Sequence, residues 1–306
     1  MARGHDVTLF ATQDSITTAR LHAVCPRPYS EDPSIDPNVW VPLHVSEAME
    51  RASEFDVLHS HLDFIPLTYS HLISTPFLTT IHGFSSDSIK AIYYKYRDNP
   101  YVSISDADRD PQLNYVATVY NGIDLRQFTY REHASGDYLL YLGRFHPEKG
   151  VHLAIDVART AGLPLIIAGI QQDTSYWEEQ IAPFIDGDCI RFVGAADGPM
   201  RDRLMGDALA SLHLVTRPER FGLTIVESLA CGTPVIAMDL GSPREILEDG
   251  VSGFLVQTMD QAVEAVAKVR DIDRASCRRA VELRFTLDHM VDGYVNVYEQ
   301  LLQGQT

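Results

Sequence analysis

The sequence predicts an α/β protein of two domains, and two observations support this prediction. Short apolar runs, which are typical of buried strands, alternate along the chain with amphipathic stretches that are typical of helices. The chain of 306 residues, 45% hydrophobic and 22% charged, is also long enough for two domains of ordinary size. Alternation of this kind builds open parallel sheets, which bind ligands beyond the carboxyl ends of their strands.

The first half of the chain contains five predicted strands and three predicted helices. The strands cover residues 7–10, 56–59, 77–81, 101–104 and 115–120. The helices cover residues 44–52, 65–73 and 86–96. The proline-rich segment 26–42 is predicted to be a long loop, which is typical of a binding loop or a mobile segment.

The second half of the chain repeats the alternation. Its predicted strands cover residues 138–142, 164–168, 189–193, 210–214 and 235–237. One helix is predicted from about Gly150 and another over residues 287–302, with a hinge in the polar stretch 126–137. The segment 242–245 matches a capping box with proline at the first helical position, and Gly250 provides the stop.

Glu219 and Glu227, in the segment RPERFGLTIVESLACGTPVIA, are the most informative residues. Glu219 precedes a short predicted helix and Glu227 lies just over one turn inside it, so the two carboxylates can reach different parts of one extended ligand. Gly222 leaves room for a ligand at the helix start, where unpaired amides attract an anion. A polyhydroxylated molecule with phosphates fits that layout. The alternative is an acidic flank and one solvated glutamate, because this spacing alone often arises by chance.

A second candidate site lies in the loop that follows the predicted strand 138–142. This loop carries Arg144 and Lys149, which offer a planar fork and a point charge to phosphate oxygens. Both residues lie beyond the carboxyl end of a strand and before a helix, where open α/β sheets bind ligands. The alternative is a solvated loop in which Glu148 forms an ion pair.

Together these motifs resemble the retaining glycosyltransferases of family 4, and the resemblance covers essentially the whole chain. The ordered set is far more specific than any single motif. The matching positions are residues 79–83, 119–124, 142–144 and 148–150, Glu219, residues 221–223, Glu227, residues 230–235, Gly241, Gly250 and residues 253–256.

The resemblance implies the GT-B fold, in which two Rossmann-like, doubly wound domains face a cleft. Residues 1–126 would form the acceptor-side domain, residues 127–285 the nucleotide-sugar domain, and residues 286–306 a helix that returns to the first domain. The implied reaction moves a sugar from a nucleoside diphosphate sugar to an acceptor hydroxyl and retains the anomeric configuration. It implies no metal and no cofactor beyond the nucleotide sugar.

The resemblance also implies a role for each residue of the second domain's site. Arg144 and Lys149 would stabilise the leaving diphosphate, Glu219 would act on the donor sugar, and Glu227 would bind the ribose hydroxyls. We expect front-face attack, in which the donor phosphate accepts the acceptor's proton, rather than a covalent intermediate on Glu219. The remaining predicted donor-binding residues are at the helix start: Phe221, and Gly222 and Leu223 through their amides.

His82 completes the predicted catalytic set. It follows the strand 77–81, where an imidazole could hydrogen-bond the donor sugar or orient the acceptor hydroxyl. The alternative is a structural histidine with satisfied hydrogen bonds. His59 and His61 lie near another strand end, and we predict that they are structural or acceptor-side residues rather than metal ligands.

The chain departs from the family at its start. Family members begin with a strand, a glycine-rich loop and a long helix ahead of the stretch that corresponds to residues 4–10 here. A unit of roughly 35 to 40 residues is therefore expected to be absent, well above the minimum length of a crossover. We expect a start codon placed too far downstream or a truncated gene, and poor activity if the chain is this short. The alternatives are a pseudo-enzyme or regulatory protein that binds a nucleotide sugar without turnover, and another GT-B activity such as an epimerase or a phosphorylase.

Bulk properties restrict the partners. The net charge of −17 argues against nucleic acid, whose phosphates require a basic surface. The four cysteines lack metal-type spacing and are expected to be reduced thiols in a cytoplasmic protein. No apolar run reaches transmembrane length, whereas peripheral membrane contact stays open because the family allows it. The sequence leaves open the donor base and sugar, the acceptor, the linkage and the oligomeric state.

Overall fold

The computed structural model describes Met1 and residues 3–304, and the chain divides into two compact units. Unit 1 consists of Met1–Val102, Asp110–Ala117 and Val297–Thr306. Unit 2 consists of Ser103–Arg109 and Thr118–Asn296. Each unit has its own hydrophobic core.

The first half of the chain, which includes most of unit 1, contains a parallel pair of strands and a four-stranded sheet. The predicted strands are confirmed to within two residues at each end, and one short strand was not predicted. The parallel pair is β1 (Thr8–Phe10) with the unpredicted β2 (Arg20–His22). The sheet has the order β3 (Leu58–Ser60), β4 (Phe77–Ile81), β5 (Tyr101–Ser103), β6 (Tyr115–Thr118). The longer helices are α1 (Pro37–Glu50), α2 (Lys90–Lys95) and a 3₁₀ helix, Ile65–Leu72.

The prediction that the whole segment 26–42 is a loop was wrong in its second part. Helix α1 already begins at Pro37, and Asp36 caps it by accepting a hydrogen bond from the Asn38 amide at 2.9 Å. Proline is favoured at the first helical position because the N–H group that it lacks would have no partner inside the helix. Pro42 lies inside α1, so the helix tolerates a second proline whose position suggested a loop.

Unit 2 is built on a six-stranded sheet whose strand order is β12-β11-β10-β7-β8-β9. All of its neighbouring strands run parallel. The five predicted strands are confirmed to within one residue at each end, and β12 was not predicted. The strands are β7 (Leu139–Leu142), β8 (Leu165–Ala168), β9 (Ile190–Phe192), β10 (Ala210–His213), β11 (Val235–Met238) and β12 (Gly253–Val256).

The α-helices of the second half of the chain include the helix predicted from about Gly150, the short helix predicted to carry Glu227, and the helix predicted over residues 287–302. They are α3 (Val151–Ala161), α4 (Thr174–Tyr176), α5 (Gly198–Asp207), α6 (Leu223–Ala230), α7 (Pro243–Ile246), α8 (Met259–Lys268), α9 (Arg274–Arg284) and α10 (Leu287–Leu302).

Helices cover both faces of the unit 2 sheet. Leu139 and Leu140 are neighbours on β7 and are both fully buried, yet they belong to different apolar clusters. Leu139 packs in the cluster that contains Ala158 of α3, and Leu140 in the cluster that contains Leu229 of α6. Because successive side chains of a strand point to opposite faces, the sheet carries a helical layer on each side, as in a doubly wound domain.

The capping box predicted at Ser242 is not formed. Ser242 is buried and its hydroxyl donates to the Phe221 carbonyl at 2.8 Å instead of capping α7. The Glu245 carboxylate accepts hydrogen bonds from the amides of Asp106 and Ala107, at 2.9 and 2.7 Å. Tertiary hydrogen bonds within unit 2 therefore use both side chains that the local pattern assigned to the helix start.

Candidate active site

The loop after β7 is held against the end of β10. Lys149 ends a single 3₁₀ turn and is followed by Gly150, which has a left-handed φ of +70°. A Cβ atom on Gly150 would lie 1.8 Å from the Leu214 carbonyl oxygen, so only glycine permits this approach. The Thr216 amide also donates to the Glu148 carbonyl at 3.0 Å. These contacts bring Lys149 to the residues that follow β10.

Glu219 is fixed through its backbone to the segment after β11. Its amide donates to the Leu240 carbonyl at 2.9 Å, and its carbonyl accepts from the Ser242 amide at 3.0 Å. Gly241 lies between these two partners with a φ of +87°. A Cβ atom on Gly241 would lie 2.4 Å from the Glu219 carbonyl oxygen and 2.7 Å from its nitrogen. Gly241 is therefore required for the observed position of the Glu219 backbone.

Replacing Gly241 by alanine is expected to destabilise the protein by about 3 kcal/mol or more, because the left-handed strain adds to a backbone clash. The matched control is Gly250→Ala, since Gly250 has a φ of +74° but nothing lies within 4 Å of its added Cβ atom. The control should cost only the left-handed strain, about 1 to 2 kcal/mol. Thermal unfolding of the two variants beside the wild type measures the difference. Equal losses would show that Gly241 does not hold Glu219.

Two donors converge on one oxygen of the Glu219 side chain, which is only 11% exposed. Lys149 Nζ lies 2.6 Å from Oε2, and His213 Nε2 lies 3.0 Å from the same atom. The other oxygen, Oε1, accepts the Arg220 amide at 3.2 Å. We call the first three residues the Lys149–Glu219–His213 cluster.

The cluster keeps Glu219 ionised. Burial by itself raises the pKa of a carboxyl group, but the hydrogen bond and charge of His213 and Lys149 outweigh it and hold the pKa of Glu219 at about 2. The side chain is thus an anion, with little tendency to take up a proton, throughout the physiological range.

His213 was not predicted as a site residue. It is the last residue of β10, and its Nδ1 lies 3.4 Å from the Thr224 hydroxyl in the first turn of α6. The sequence does show that His213 is a polar residue at the carboxyl end of an apolar strand, and parallel sheets bind ligands at that end of their strands. One histidine among twelve in the chain gave no spacing pattern to act on.

Helix α6 begins beside the cluster. Gly222 caps it with a φ of +87°, and the eight-residue helix leaves its first amides without partners inside the helix. Of the residues predicted at this helix start, Leu223 is exposed, but the Phe221 side chain is buried in the core against Phe285. The structure therefore offers backbone amides to a ligand at this position, and not the Phe221 ring.

Glu227 lies on α6 with a cation of its own. Its carboxylate is 3.0 Å from Arg201 Nη1, and Arg201 also lies over the Phe128 ring, 5.3 Å from its centroid. Burial raises the pKa of Glu227, and the charge of Arg201 partly offsets this. Arg201 was not predicted, because a single arginine on a polar helix carries no pattern. The two carboxylates predicted to serve one ligand thus each have a separate cationic partner.

Replacing Arg201 by methionine is expected to destabilise the protein at neutral pH, because it leaves a buried carboxylate without its cation. The loss should be below the roughly 3 to 5 kcal/mol of a fully buried broken pair, since Arg201 is 29% exposed. The pKa of Glu227, already raised, rises further, so the penalty is complete above that pKa and disappears as the pH falls through it. Melting temperatures of variant and wild type should therefore converge as the pH is lowered from neutral through the raised pKa of Glu227. When Glu227 is replaced by glutamine, the effect of Arg201→Met on the melting temperature should not depend on pH. If Glu227 is present and the difference in melting temperature still does not change with pH, Arg201 does not act through the charge of Glu227.

Arg144 does not join the cluster. Its Nη1 donates to the Gln172 side chain at 3.0 Å, and its carbonyl accepts from the Tyr141 hydroxyl at 3.0 Å. Of the two cations predicted in the loop after β7, Lys149 is thus paired with Glu219, and the Arg144 side chain is directed to the loop after β8.

His82 lies in unit 1, directly after β4. Its Nε2 is 3.0 Å from His61 Nδ1, and the ring of His59 lies 4.1 Å from that of His61. Partial burial lowers the pKa of His82, and burial with the charge of neighbouring histidines lowers those of His59 and His61 to about 3 and about 4. His59 hydrogen-bonds Thr80 at 2.7 Å and Tyr298 at 2.8 Å. These imidazoles are neutral at physiological pH.

Neither a metal-binding group of side chains nor a membrane-spanning helix is found among the described residues. Within residues 3–304 and Met1, no group of three histidine, cysteine, aspartate or glutamate side chains is placed to hold a metal ion. In the part of the chain that the structure describes, no helix combines the length and apolar character needed to cross a bilayer.

The family of the chain follows from its sequence. The family model for "Glycosyl transferases group 1" matches residues 126–282, just over half of the chain. The chain therefore belongs to this family. It is a glycosyltransferase, as its sequence motifs predicted.

Curated relatives agree with this assignment. The chain is similar to the O-antigen chain mannosyltransferase C of Escherichia coli, with 25% identity over 291 residues that cover 83% of this chain and 77% of that protein. It is also similar to the phosphatidyl-myo-inositol mannosyltransferase of Mycobacterium leprae, with 27% identity over 245 residues that cover 71% of this chain and 64% of that protein. The match thus spans less than two thirds of the mycobacterial enzyme.

Solved structures confirm the predicted GT-B fold. The sucrose-phosphate synthase of Thermosynechococcus elongatus has a TM-score of 0.78 at 17% identity, covering 99% of this chain and 90% of that one. Anabaena HepE, in complex with UDP and glucose, has a TM-score of 0.72 at 18% identity, covering 92% of this chain and 86% of that one. At these identities the likeness concerns the fold alone.

Proposed function

We propose that this glycosyltransferase transfers a sugar from a nucleoside diphosphate sugar to an acceptor hydroxyl with retention of the anomeric configuration. The observation that supports this most strongly is the Lys149–Glu219–His213 cluster, set beside the start of α6. It combines a mobile cation, a fixed anion and unpaired helix amides within one small region of unit 2. A donor of this class requires those three features for its diphosphate and its sugar.

When a donor binds, Lys149 is proposed to leave the Glu219 carboxylate and to pair with an oxygen of the diphosphate. Departure of the nucleoside diphosphate places negative charge on its oxygens, and a cation and helix amides aimed at that charge stabilise the transition state. Lys149 is 29% exposed and has a flexible side chain, so it can turn from the carboxylate to a phosphate oxygen. The amides of Gly222 and Leu223 add donors at the helix start, and Arg144 adds a second cation once it leaves Gln172. Charge neutralisation in this proposal comes from the chain and not from a metal ion.

The proposed role of Glu219 is electrostatic. As the sugar–phosphate bond breaks, the sugar acquires oxocarbenium character, and an anion nearby favours it. The pKa of about 2 makes Glu219 a weak base and a weak nucleophile, and its Oε2 is already engaged by two donors. These properties favour front-face attack, with the donor phosphate accepting the acceptor's proton, over a covalent intermediate. A glycosyl adduct trapped on Glu219 would overturn this preference.

Glu227 is proposed to bind the ribose hydroxyls of the donor nucleotide. Its carboxylate lies on α6, just over one turn beyond the amides that are proposed to bind the phosphates. A nucleotide donor is further supported by Anabaena HepE, a neighbour in fold whose structure contains UDP. His82 remains a predicted catalytic residue of unit 1, where a neutral imidazole can donate or accept a hydrogen bond with a sugar hydroxyl.

The test is a panel of nucleotide sugars with uracil, guanine and adenine bases. We expect one donor to raise the melting temperature and to be hydrolysed slowly, with water as the acceptor. NMR at early times should show the released sugar in the anomeric form of the donor, and chelation of metals should leave the rate unchanged. A donor that is bound but never cleaved would indicate a binding protein instead. Failure of every donor to bind, or release of the opposite anomer, would contradict the proposal.

A further inference from the structure

The Glu219 carboxylate has two side-chain donors, and they differ in mobility. Lys149 is a long side chain, 29% exposed, that approaches from a loop. His213 is 12% exposed and belongs to β10, a strand in the middle of the sheet. Its ring is also held by the Thr224 hydroxyl, 3.4 Å from Nδ1. One donor can thus leave the carboxylate easily and the other cannot.

The proton on Nε2 of His213 follows from its partner. A carboxylate only accepts hydrogen bonds, so Nε2 carries the proton that is donated to Glu219. Nδ1 faces the Thr224 hydroxyl, which can donate to it or accept from it, so this contact is compatible with either state of Nδ1. His213 therefore donates a hydrogen bond to Glu219 whether or not Lys149 contacts the carboxylate.

This arrangement matters when Lys149 turns to a diphosphate. Glu219 is mostly buried, and a buried carboxylate that loses its partners is costly unless it rotates into solvent or takes up a proton. Either response would remove a fixed anion from the site. Among the described residues, His213 is the side chain that stays in hydrogen-bonding distance of Oε2 once Lys149 leaves.

We propose that His213 is a positioning residue that holds the Glu219 carboxylate in place while Lys149 is engaged with the donor's diphosphate. The inference rests on the proposed function, because it is the donor that removes Lys149. It assigns different tasks to two neighbouring donors: Lys149 alternates between carboxylate and phosphate, and His213 keeps the carboxylate where the sugar needs it. Glu219 thereby keeps one geometry in the empty and the occupied site.

The kinetic test compares three variants with the hydrolysed donor from the nucleotide-sugar panel. His213→Leu should lower kcat by about 10- to 100-fold, the range expected for a lost hydrogen bond to a charged group. Its Kd for the matching nucleoside diphosphate should stay within about twofold, because the diphosphate is held by Lys149 and the helix amides. His213→Gln places an amide N–H near the Nε2 position and should restore most of kcat. His213→Asn places it near Nδ1, out of reach of Glu219, and should not.

A structural test needs no activity. In a crystal structure of Lys149→Met, Glu219 Oε2 should remain in hydrogen-bonding distance of His213 Nε2. In Lys149→Met with His213→Leu, the carboxylate should rotate away. The inference is overturned if Glu219 leaves His213 in the first variant, if His213→Leu keeps the wild-type kcat, or if Gln rescues no better than Asn. If the wild type cleaves no nucleotide sugar, the proposed function fails, and the crystal structures still decide whether His213 holds Glu219 in the absence of the Lys149 ammonium group.

Discussion

Replacing Lys149 by methionine is expected to lower kcat/KM for the nucleotide-sugar donor by about 10²- to 10³-fold, the usual effect of removing one preorganised donor from a transition-state oxyanion. Methionine keeps most of the length of the side chain and removes only the charge. Lys149 is the cation that already lies at 2.6 Å from Glu219, so its proposed phosphate partner would occupy the same small region. Initial rates of donor hydrolysis, with wild type and variant at several donor concentrations, measure the effect.

The matched control for this variant is Lys268→Met, on the exposed face of α8 in the same unit. It makes the same chemical change away from the cluster and should keep the wild-type rate. Circular dichroism and thermal unfolding should confirm that both variants fold. If Lys149→Met is as active as Lys268→Met, the cluster does not bind the leaving group.

Replacing Glu219 by glutamine should have the second large effect, a loss of about 10²-fold or more in kcat, because the site loses the charge that favours a positive sugar. The shape of the side chain is preserved, so binding of the nucleoside diphosphate should change little. Lys149 loses its competing carboxylate in this variant, and the affinity for the diphosphate alone should be maintained or increased. Rates and calorimetric binding measured on the same preparation separate the two effects.

We also expect the difference in stability between the wild type and Glu219→Gln to depend on pH. The pKa of Glu219 is lowered to about 2, so its charge interactions stabilise the fold fully above the usual carboxyl pKa and are lost as the pH falls toward 2. The gap in melting temperature between wild type and Glu219→Gln should therefore be constant above about pH 5 and should narrow below it. Glu264→Gln, on the exposed face of α8, is the matched control away from the cluster. A gap that does not depend on pH would mean that Glu219 is not held as an anion.

The elements of the fold could be predicted because each leaves a local pattern. Parallel strands buried on both faces are continuous apolar runs, and these located all five predicted strands of unit 2. The failures are places where distant groups override a local pattern. The Ser242 hydroxyl is taken by the Phe221 carbonyl, and Asp36 starts a helix in a segment that its prolines marked as a loop.

The candidate site was predicted as two separate regions, and its internal contacts were not. The sequence placed Lys149 after one strand and Glu219 after another, and nothing local pairs them. The pairing depends on the close approach of Gly150 to the Leu214 carbonyl, which is visible only once the strands are side by side. His213 and Arg201 were missed for the same reason, since each is a single side chain whose meaning comes from a carboxylate elsewhere in the chain.

A crystal structure with the nucleoside diphosphate of the preferred donor tests the central claim most directly. We expect a diphosphate oxygen in hydrogen-bonding distance of Lys149 Nζ and of the amides at the start of α6, with Glu219 still held by His213. We also expect the ribose hydroxyls at Glu227. A nucleotide bound elsewhere, with the Lys149–Glu219 pair at its present 2.6 Å, would contradict the claim.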